Sequence, residues 1–109
     1  MKNNIKILKD LKNHLVKNFG DNIKDVILFG SQITGKANEN SDYDVLILLK
    51  NRYNWKYWNK LIDAVNDKEY ELNFDIMFDT HILSNYEIKY SLKGQEPIYI
   101  NALNTGIYA

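Results

Sequence analysis

Two aspartates stand directly before the most apolar run of the chain. Asp42-Tyr43-Asp44 leads into residues 45–49, all of which are aliphatic. A continuous apolar run of this length predicts a buried strand, and side chains at positions i and i+2 of a strand face the same side of a sheet. Two carboxylates held side by side repel each other unless a cation lies between them. The pair therefore predicts a cation site at the start of a buried strand.

A second apolar run ends at a glycine–serine pair shortly before these aspartates. Residues 26–29 predict another buried strand, and Gly30-Ser31 follows at once. We expect residues 30–36 to form a turn and a short helix, and residues 37–41 to form a polar loop. Such a turn offers backbone N–H groups and a hydroxyl to a phosphate. Together with the aspartates it predicts a metal-dependent site for a nucleotide polyphosphate.

A third carboxylate, Asp75, interrupts another apolar segment. Residues 72–78 predict a strand with Asp75 in its middle. A buried carboxylate is costly unless it is paired or bound to a metal. Mg²⁺ prefers oxygen ligands, so Asp42, Asp44 and Asp75 on neighbouring strands predict a site for one or two Mg²⁺ ions.

Two residues further along are weaker candidates. Asp79 would share a strand face with Asp75 and is a backup ligand at most. His81 follows the predicted strand, and a local capping role or solvent contact is the expected role of such a histidine.

Helical patterns surround these strands. Apolar residues recur at helical spacing over residues 5–19, which predicts a helix that ends at Gly20. Asn54 is a candidate N-cap for a second helix, and Ser84 with Glu87 matches a capping box for a last helix that ends near Gly94. The buried side of the second helix is expected to carry Trp55, Trp58, Leu61, Ile62 and Val65.

After the last helix, residues 98–100 predict a short edge strand, and residues 101–109 are expected to be mobile unless a partner holds them. The order of helices and strands predicts an α/β (α+β) fold, with helices packed on one small main sheet.

Composition narrows the classes of function. The 109 residues are the size of one domain, and 14 basic residues balance 14 acidic ones, which argues against a general nucleic-acid binder. The absence of cysteine excludes disulfides, thiolate metal sites and cysteine nucleophiles. We find no apolar run long enough to span a membrane and no signal-peptide core, so we expect a cytoplasmic protein without membrane contact.

The segment Leu28-Phe29-Gly30-Ser31, followed by Ser41-Asp42-Tyr43-Asp44-Val45, resembles the signature of the DNA-polymerase-β-like nucleotidyltransferase superfamily. It is most similar to the minimal nucleotidyltransferase (MNT) domains, and the resemblance covers nearly the whole chain, as one domain over residues 1–109. The resemblance implies a nucleotidyltransferase fold on a mixed sheet. It also implies transfer of a nucleoside monophosphate, usually AMP from ATP, to a hydroxyl, with release of pyrophosphate.

Roles for the candidate residues follow from the same resemblance. Asp42 and Asp44 would bind both of two Mg²⁺ ions. Asp75 would bind the catalytic ion and help to activate the acceptor hydroxyl. Gly30 and Ser31 would hold the triphosphate, the glycine by allowing close backbone approach and the serine by its hydroxyl and N–H group.

The resemblance also implies a partner. MNT proteins commonly act as antitoxins of HEPN-domain ribonuclease toxins, and some transfer AMP to a tyrosine of the toxin. The expected function is therefore that of a protein adenylyltransferase antitoxin that modifies and binds a HEPN-domain toxin. A homo-oligomer or a hetero-oligomer with the toxin is the expected assembly.

One departure from the family pattern keeps alternatives open. Many relatives place arginines soon after the glycine–serine pair, whereas residues 32–35 here read Gln-Ile-Thr-Gly and Lys36 is the nearby cation. Arginine binds phosphate through two parallel hydrogen bonds, a geometry that glutamine and threonine do not reproduce. A weakened site would favour an antitoxin that acts by binding alone. A small-molecule nucleotidyltransferase, such as an antibiotic-modifying enzyme, is a third hypothesis.

Overall fold

The computed structural model describes residues 4–30 and 42–109 of the chain. None of the helices in these ranges is both long enough and apolar enough to cross a lipid bilayer. The elements, in chain order, are helix α1 (Asn4–Phe19), strands β1 (Ile23–Phe29) and β2 (Tyr43–Leu49), helix α2 (Trp55–Glu71), strand β3 (Phe78–Ser84), helices α3 (Asn85–Tyr90) and α4 (Pro97–Thr105), and the short strand β4 (Ile107–Tyr108).

The four strands form one mixed sheet in the order β3-β2-β1-β4. β1 runs antiparallel to both β2 and β4, whereas β2 and β3 are parallel. A parallel pair needs a long crossover connection, and α2 supplies it between β2 and β3. The mixed sheet and the α/β class are therefore confirmed.

The sheet carries a core on each face, because successive residues of each strand point to opposite sides. One face packs against α1 and α2, whose leucines, such as Leu11 and Leu61, are fully buried there. The other face packs against α4 through Tyr99 and Ala102. β1 and β2 are thus buried on both sides over most of their length, which explains their continuous apolar runs.

The predicted end of α1 and the predicted starts of α2 and α3 are confirmed. α1 ends immediately before Gly20, which has a φ of 68°. Asn54 caps α2, its side-chain oxygen accepting from the Tyr57 N–H at 2.9 Å. Ser84 and Glu87 form the predicted capping box, with each side chain accepting from the backbone N–H of the other, at 3.2 and 3.1 Å.

The predicted third strand over residues 72–78 is wrong. α2 continues through Glu71, and the Leu72 N–H still donates to the Lys68 carbonyl at 3.0 Å. A turn follows in which Asn73 and Phe74 have φ values of 55° and 57°. Asparagine is one of the few residue types enriched in this left-handed region, so it favours a helix end over a strand. The strand begins only at Phe78.

The C-terminal predictions are also corrected. α3 ends at Tyr90, and a 3₁₀ turn over Lys93–Gln95 follows. Residues 98–100 belong to α4, because Pro97 occupies the first helical turn, where its missing N–H costs nothing. Residues 101–109 are held in place: they complete α4 and form β4, and the Ala109 N–H donates to the Val26 carbonyl at 2.9 Å.

The burial predicted for the tryptophans of α2 is wrong as well. Trp55 is 70% exposed and Trp58 is 42% exposed, whereas Leu61 and Val65 are buried. The fully buried stripe of α2 thus begins only in its second turn. The short helix and the polar loop predicted for residues 31–41 lie outside the described residues.

A buried carboxylate connects α2 to the start of β3. Glu69 is only 4% exposed, and its Oε2 accepts a hydrogen bond of 2.8 Å from the Phe78 N–H. Because a buried backbone N–H needs an acceptor, this bond fixes where β3 begins relative to the crossover helix. It thereby sets the position of Asp79, the next residue along the strand.

We predict that Glu69→Ala lowers the free energy of unfolding by about 1–3 kcal/mol, since it leaves the Phe78 N–H buried without its acceptor. Glu69→Gln keeps an acceptor oxygen and is expected to lose less. Urea unfolding monitored by circular dichroism measures both, with Glu71→Ala, at an exposed position of the same helix, as the matched control. Equal stability of Glu69→Ala and Glu71→Ala would contradict the anchoring role.

Candidate active site

The central carboxylate pair of the protein lies across two strands. The parallel register of β2 and β3 sets Asp44 directly opposite Asp79. Residues that face each other across a ladder point to the same side of the sheet, here the side covered by α4. The two side chains are within hydrogen-bonding reach of each other. Two carboxylates this close form a hydrogen bond only when they share a proton, and a cation between them removes that need.

A histidine completes this cluster. His81 lies two residues after Asp79 on the same face, and its Nε2 is 3.6 Å from Asp79 Oδ2. One ligand atom from each of Asp44, Asp79 and His81 can be chosen so that all lie within 4.8 Å of one another. The Nδ1 of His81 lies 3.1 Å from the hydroxyl of Tyr99, which α4 carries. The imidazole also packs edge-on against the rings of Phe29 and Tyr99, with centroids 5.4 and 5.6 Å away.

Burial and neighbouring negative charges disfavour the ionised form of Asp44 in this cluster. Burial, together with the hydrogen bond and the negative charge of Asp79, raises the pKa of Asp44 above its ordinary value. The charge of Asp42 acts in the same direction, and His81 opposes it. A bound cation would reverse this balance and favour the ionised form of both paired carboxylates.

Gly30 lies against this cluster. Its φ is 77°, a conformation that side chains other than glycine rarely adopt. A Cβ at this position would overlap Oδ2 of Asp44, because Gly30 directly follows Phe29, the β1 residue paired with Asp44. The glycine that the sequence assigned to phosphate binding therefore also leaves room for the Asp44 carboxylate.

The other predicted site residues are placed differently. Asp42 immediately precedes β2, is exposed, and lies close enough to act on the pKa of Asp44. Ser31 lies outside the described residues, and its phosphate-binding role stays a prediction. Asp75 is exposed in the bend before β3. In the described part of the chain, the group of potential metal ligands contains Asp79 and not Asp75.

The donor set of the cluster fits a divalent cation. Asp44 and Asp79 offer carboxylate oxygens, the ligands that Mg²⁺ and Mn²⁺ accept, and His81 offers an imidazole nitrogen. The Asp79 side chain is 58% exposed and that of His81 is 21% exposed. The cluster thus lies on the sheet and is partly open to solvent. Substrate oxygens could complete a coordination shell from the open side.

The sequence pattern gives Asp79 and His81 little weight, because it predicts that the third strand begins six residues earlier than it does. A usable signal was present. Asp79 and His81 have the same i, i+2 spacing as Asp42 and Asp44, at the start of another apolar strand. Asn73, which favours a left-handed turn, was the local sign that the helix had only just ended.

Three comparisons with known proteins show what this chain is similar to. A family model described as "Polymerase beta, Nucleotidyltransferase" matches residues 9–102. A Methanocaldococcus jannaschii protein named "Putative protein adenylyltransferase" is 38% identical over 73 residues, which are 67% of this chain and 72% of that protein. A crystal structure described as "a putative nucleotidyltransferase from Sulfolobus solfataricus" matches with a TM-score of 0.48 and 25% identity, over 78% of this chain and 70% of that chain.

We predict that Gly30→Ala impairs cation binding as well as stability. The left-handed backbone alone costs a residue with a side chain about 1–2 kcal/mol, and the added methyl group also displaces the Asp44 carboxylate. The change in unfolding free energy and the Mn²⁺ affinity of the purified protein, measured by titration calorimetry, report the two effects separately.

Gly20→Ala is the matched control for this prediction. Gly20 has a similar φ of 68°, but a Cβ there would meet no atom within 4 Å. It should therefore lose stability without losing Mn²⁺ affinity. If both variants bound Mn²⁺ as tightly as the unchanged protein, the contact between Gly30 and Asp44 would have no role in the site.

Proposed function

Because this chain belongs to the polymerase beta nucleotidyltransferase family, we propose that it transfers the adenylyl group of ATP to a hydroxyl group of a protein. The observation that carries the proposal is the cluster of Asp44, Asp79 and His81 beside the left-handed turn at Gly30. The name of the Methanocaldococcus jannaschii relative supports the adenylyl group and the protein acceptor.

The reaction is an in-line substitution at phosphorus. The acceptor oxygen forms a bond to the α-phosphorus of ATP, and the bond from that phosphorus to the oxygen bridging it to the β-phosphate breaks. Pyrophosphate leaves with the bonding electron pair, and the hydroxyl proton passes to a carboxylate oxygen of Asp79 and then to water. Asp79 suits this role because its side chain is largely exposed to the side from which an acceptor would approach.

Asp44 and Asp79 would hold a divalent cation, with Mg²⁺ the ion that the family resemblance suggests. When bound, such an ion lowers the pKa of the acceptor hydroxyl and offsets the charge of the phosphates. Asp42 is exposed beside the pair and would supply a further oxygen ligand where the triphosphate enters. Gly30, which directly follows the end of β1, would let the backbone approach the phosphates closely.

For the acceptor we propose a tyrosine hydroxyl of a HEPN-domain ribonuclease toxin, with this protein as its antitoxin. The support is the resemblance of the Gly30 and Asp42-Tyr43-Asp44 segments to MNT domains. Neutralisation by binding alone is the second candidate, favoured by the absence of arginine from residues 32–35.

The test uses ATP labelled on the α-phosphate, with Mg²⁺, the purified protein and either a lysate of its host or a purified HEPN-domain protein from that host. We expect label on one protein band. Asp44→Asn and Asp79→Asn should each reduce transfer by at least about a hundredfold, because each removes a carboxylate that would hold the cation and Asp79→Asn also removes the acceptor of the hydroxyl proton.

Two further variants make the test specific. Asp67→Asn, on the exposed side of α2, is the matched control and should transfer normally. Asp75→Asn separates the two assignments of the third carboxylate: loss of transfer in Asp75→Asn but not in Asp79→Asn would contradict the site described here. Toxin neutralisation that survives in Asp44→Asn, without label, would establish binding alone.

A further inference from the structure

The proposed reaction needs only carboxylates at its metal site, yet the structure adds an imidazole that is held firmly in place. His81 is contacted on two sides by aromatic rings, Phe29 from β1 and Tyr99 from α4. Its side chain is 21% exposed, and its Nε2 points to the Asp79 carboxylate. A histidine with only a surface role would not need aromatic contacts from two other elements of the fold.

The hydrogen-bond partner of His81 Nδ1 determines whether Nε2 has a lone pair available for a metal ion. If Nδ1–H donates to the Tyr99 hydroxyl, 3.1 Å away, then Nε2 carries a lone pair in the direction of the two aspartates. Histidines that bind metals nearly always donate their other ring N–H in this way, which fixes both the tautomer and the ring orientation.

We propose that His81 is a nitrogen ligand of the divalent cation, and that it shifts the preference of the site from Mg²⁺ towards Mn²⁺. This inference rests on the proposed function, because it concerns the same cation. Mg²⁺ is a hard ion that selects oxygen donors, whereas imidazole suits first-row transition metals. A site with two carboxylates and one imidazole therefore favours Mn²⁺ over Mg²⁺ more strongly than a site built from carboxylates alone.

Tyr99 is the positioning residue in this arrangement. It is 8% exposed, and α4 brings it to the sheet from the C-terminal part of the chain. In the tautomer that carries the proton on Nδ1, the Tyr99 hydroxyl accepts from Nδ1–H and leaves Nε2 free to bind the cation.

The direct test is electron spin echo envelope modulation of Mn²⁺ bound to the untagged protein. The probe is Mn²⁺ alone, without nucleotide, because an adenine nitrogen would give a similar signal. We expect nitrogen-14 coupling from a directly bound imidazole. The chain contains only two histidines, so the assignment is simple. In His14→Gln the coupling should persist, because that residue, in α1, contacts the Ala64 carbonyl instead, and in His81→Gln it should vanish.

Affinities give the second measurement. Tyr99→Phe should weaken Mn²⁺ binding by about tenfold, the usual effect of removing a partner that orients a metal-bound histidine, and His81→Gln by at least as much. Mg²⁺ affinity, measured by competition, should change less in both variants, so that the ratio of the two affinities falls. Tyr99→Phe keeps the packing of the aromatic ring and so tests the arrangement even if His81→Gln folds poorly.

The outcomes separate this inference from the proposed function. Mn²⁺ binding without nitrogen coupling in the unchanged protein would overturn the role of His81 and leave the carboxylate site standing. A coupling that disappears in His14→Gln would do the same. Failure of the unchanged protein to bind Mn²⁺ at all would overturn both this inference and the metal-dependent function.

Discussion

The parallel, in-register pairing of β2 with β3 is the constraint on which the rest of the site depends. It sets Asp44 opposite Asp79 and places His81 one step further along the same face. A one-residue shift of this register would turn the β3 side chains to the opposite face of the sheet. The register in turn depends on where β3 begins after the crossover helix. The hydrogen bond from the Phe78 N–H to Glu69 fixes this starting point.

The site is assembled from segments that are far apart in the chain. β1 contributes Phe29 and the turn at Gly30, β2 and β3 contribute the charged groups, and α4 contributes Tyr99. The last strand, β4, joins the opposite edge of β1 and so anchors the end of α4 against the sheet. Residues near the C-terminus therefore help to position a histidine of the candidate active site, although none of them carries a recognisable motif.

The family relationship and the geometry address different levels of function. The match over residues 9–102 establishes the nucleotidyltransferase family. The cluster brings two carboxylates together at a place where burial, with the hydrogen bond and the negative charge of Asp79, raises the pKa of Asp44. This unfavourable contact has a chemical use if a cation binds there, and it has no evident use in a protein that only binds a partner. That contrast is the physical reason to prefer an enzyme over a binding module.

Local side-chain chemistry made several parts of this fold predictable from the amino-acid sequence. The helix caps at Asn54 and Ser84, the buried strands before Gly30 and after Asp44, and the glycine that ends α1 all follow from short-range preferences of particular residues. Which carboxylate faces Asp44 could be read only from the folded chain, because it depends on the strand register and on the length of α2. Asp75 and Asp79 both stand in apolar surroundings in the sequence, and only the hydrogen-bond ladder separates them. The contribution of Tyr99 to the site likewise depends on long-range packing, which no local pattern encodes.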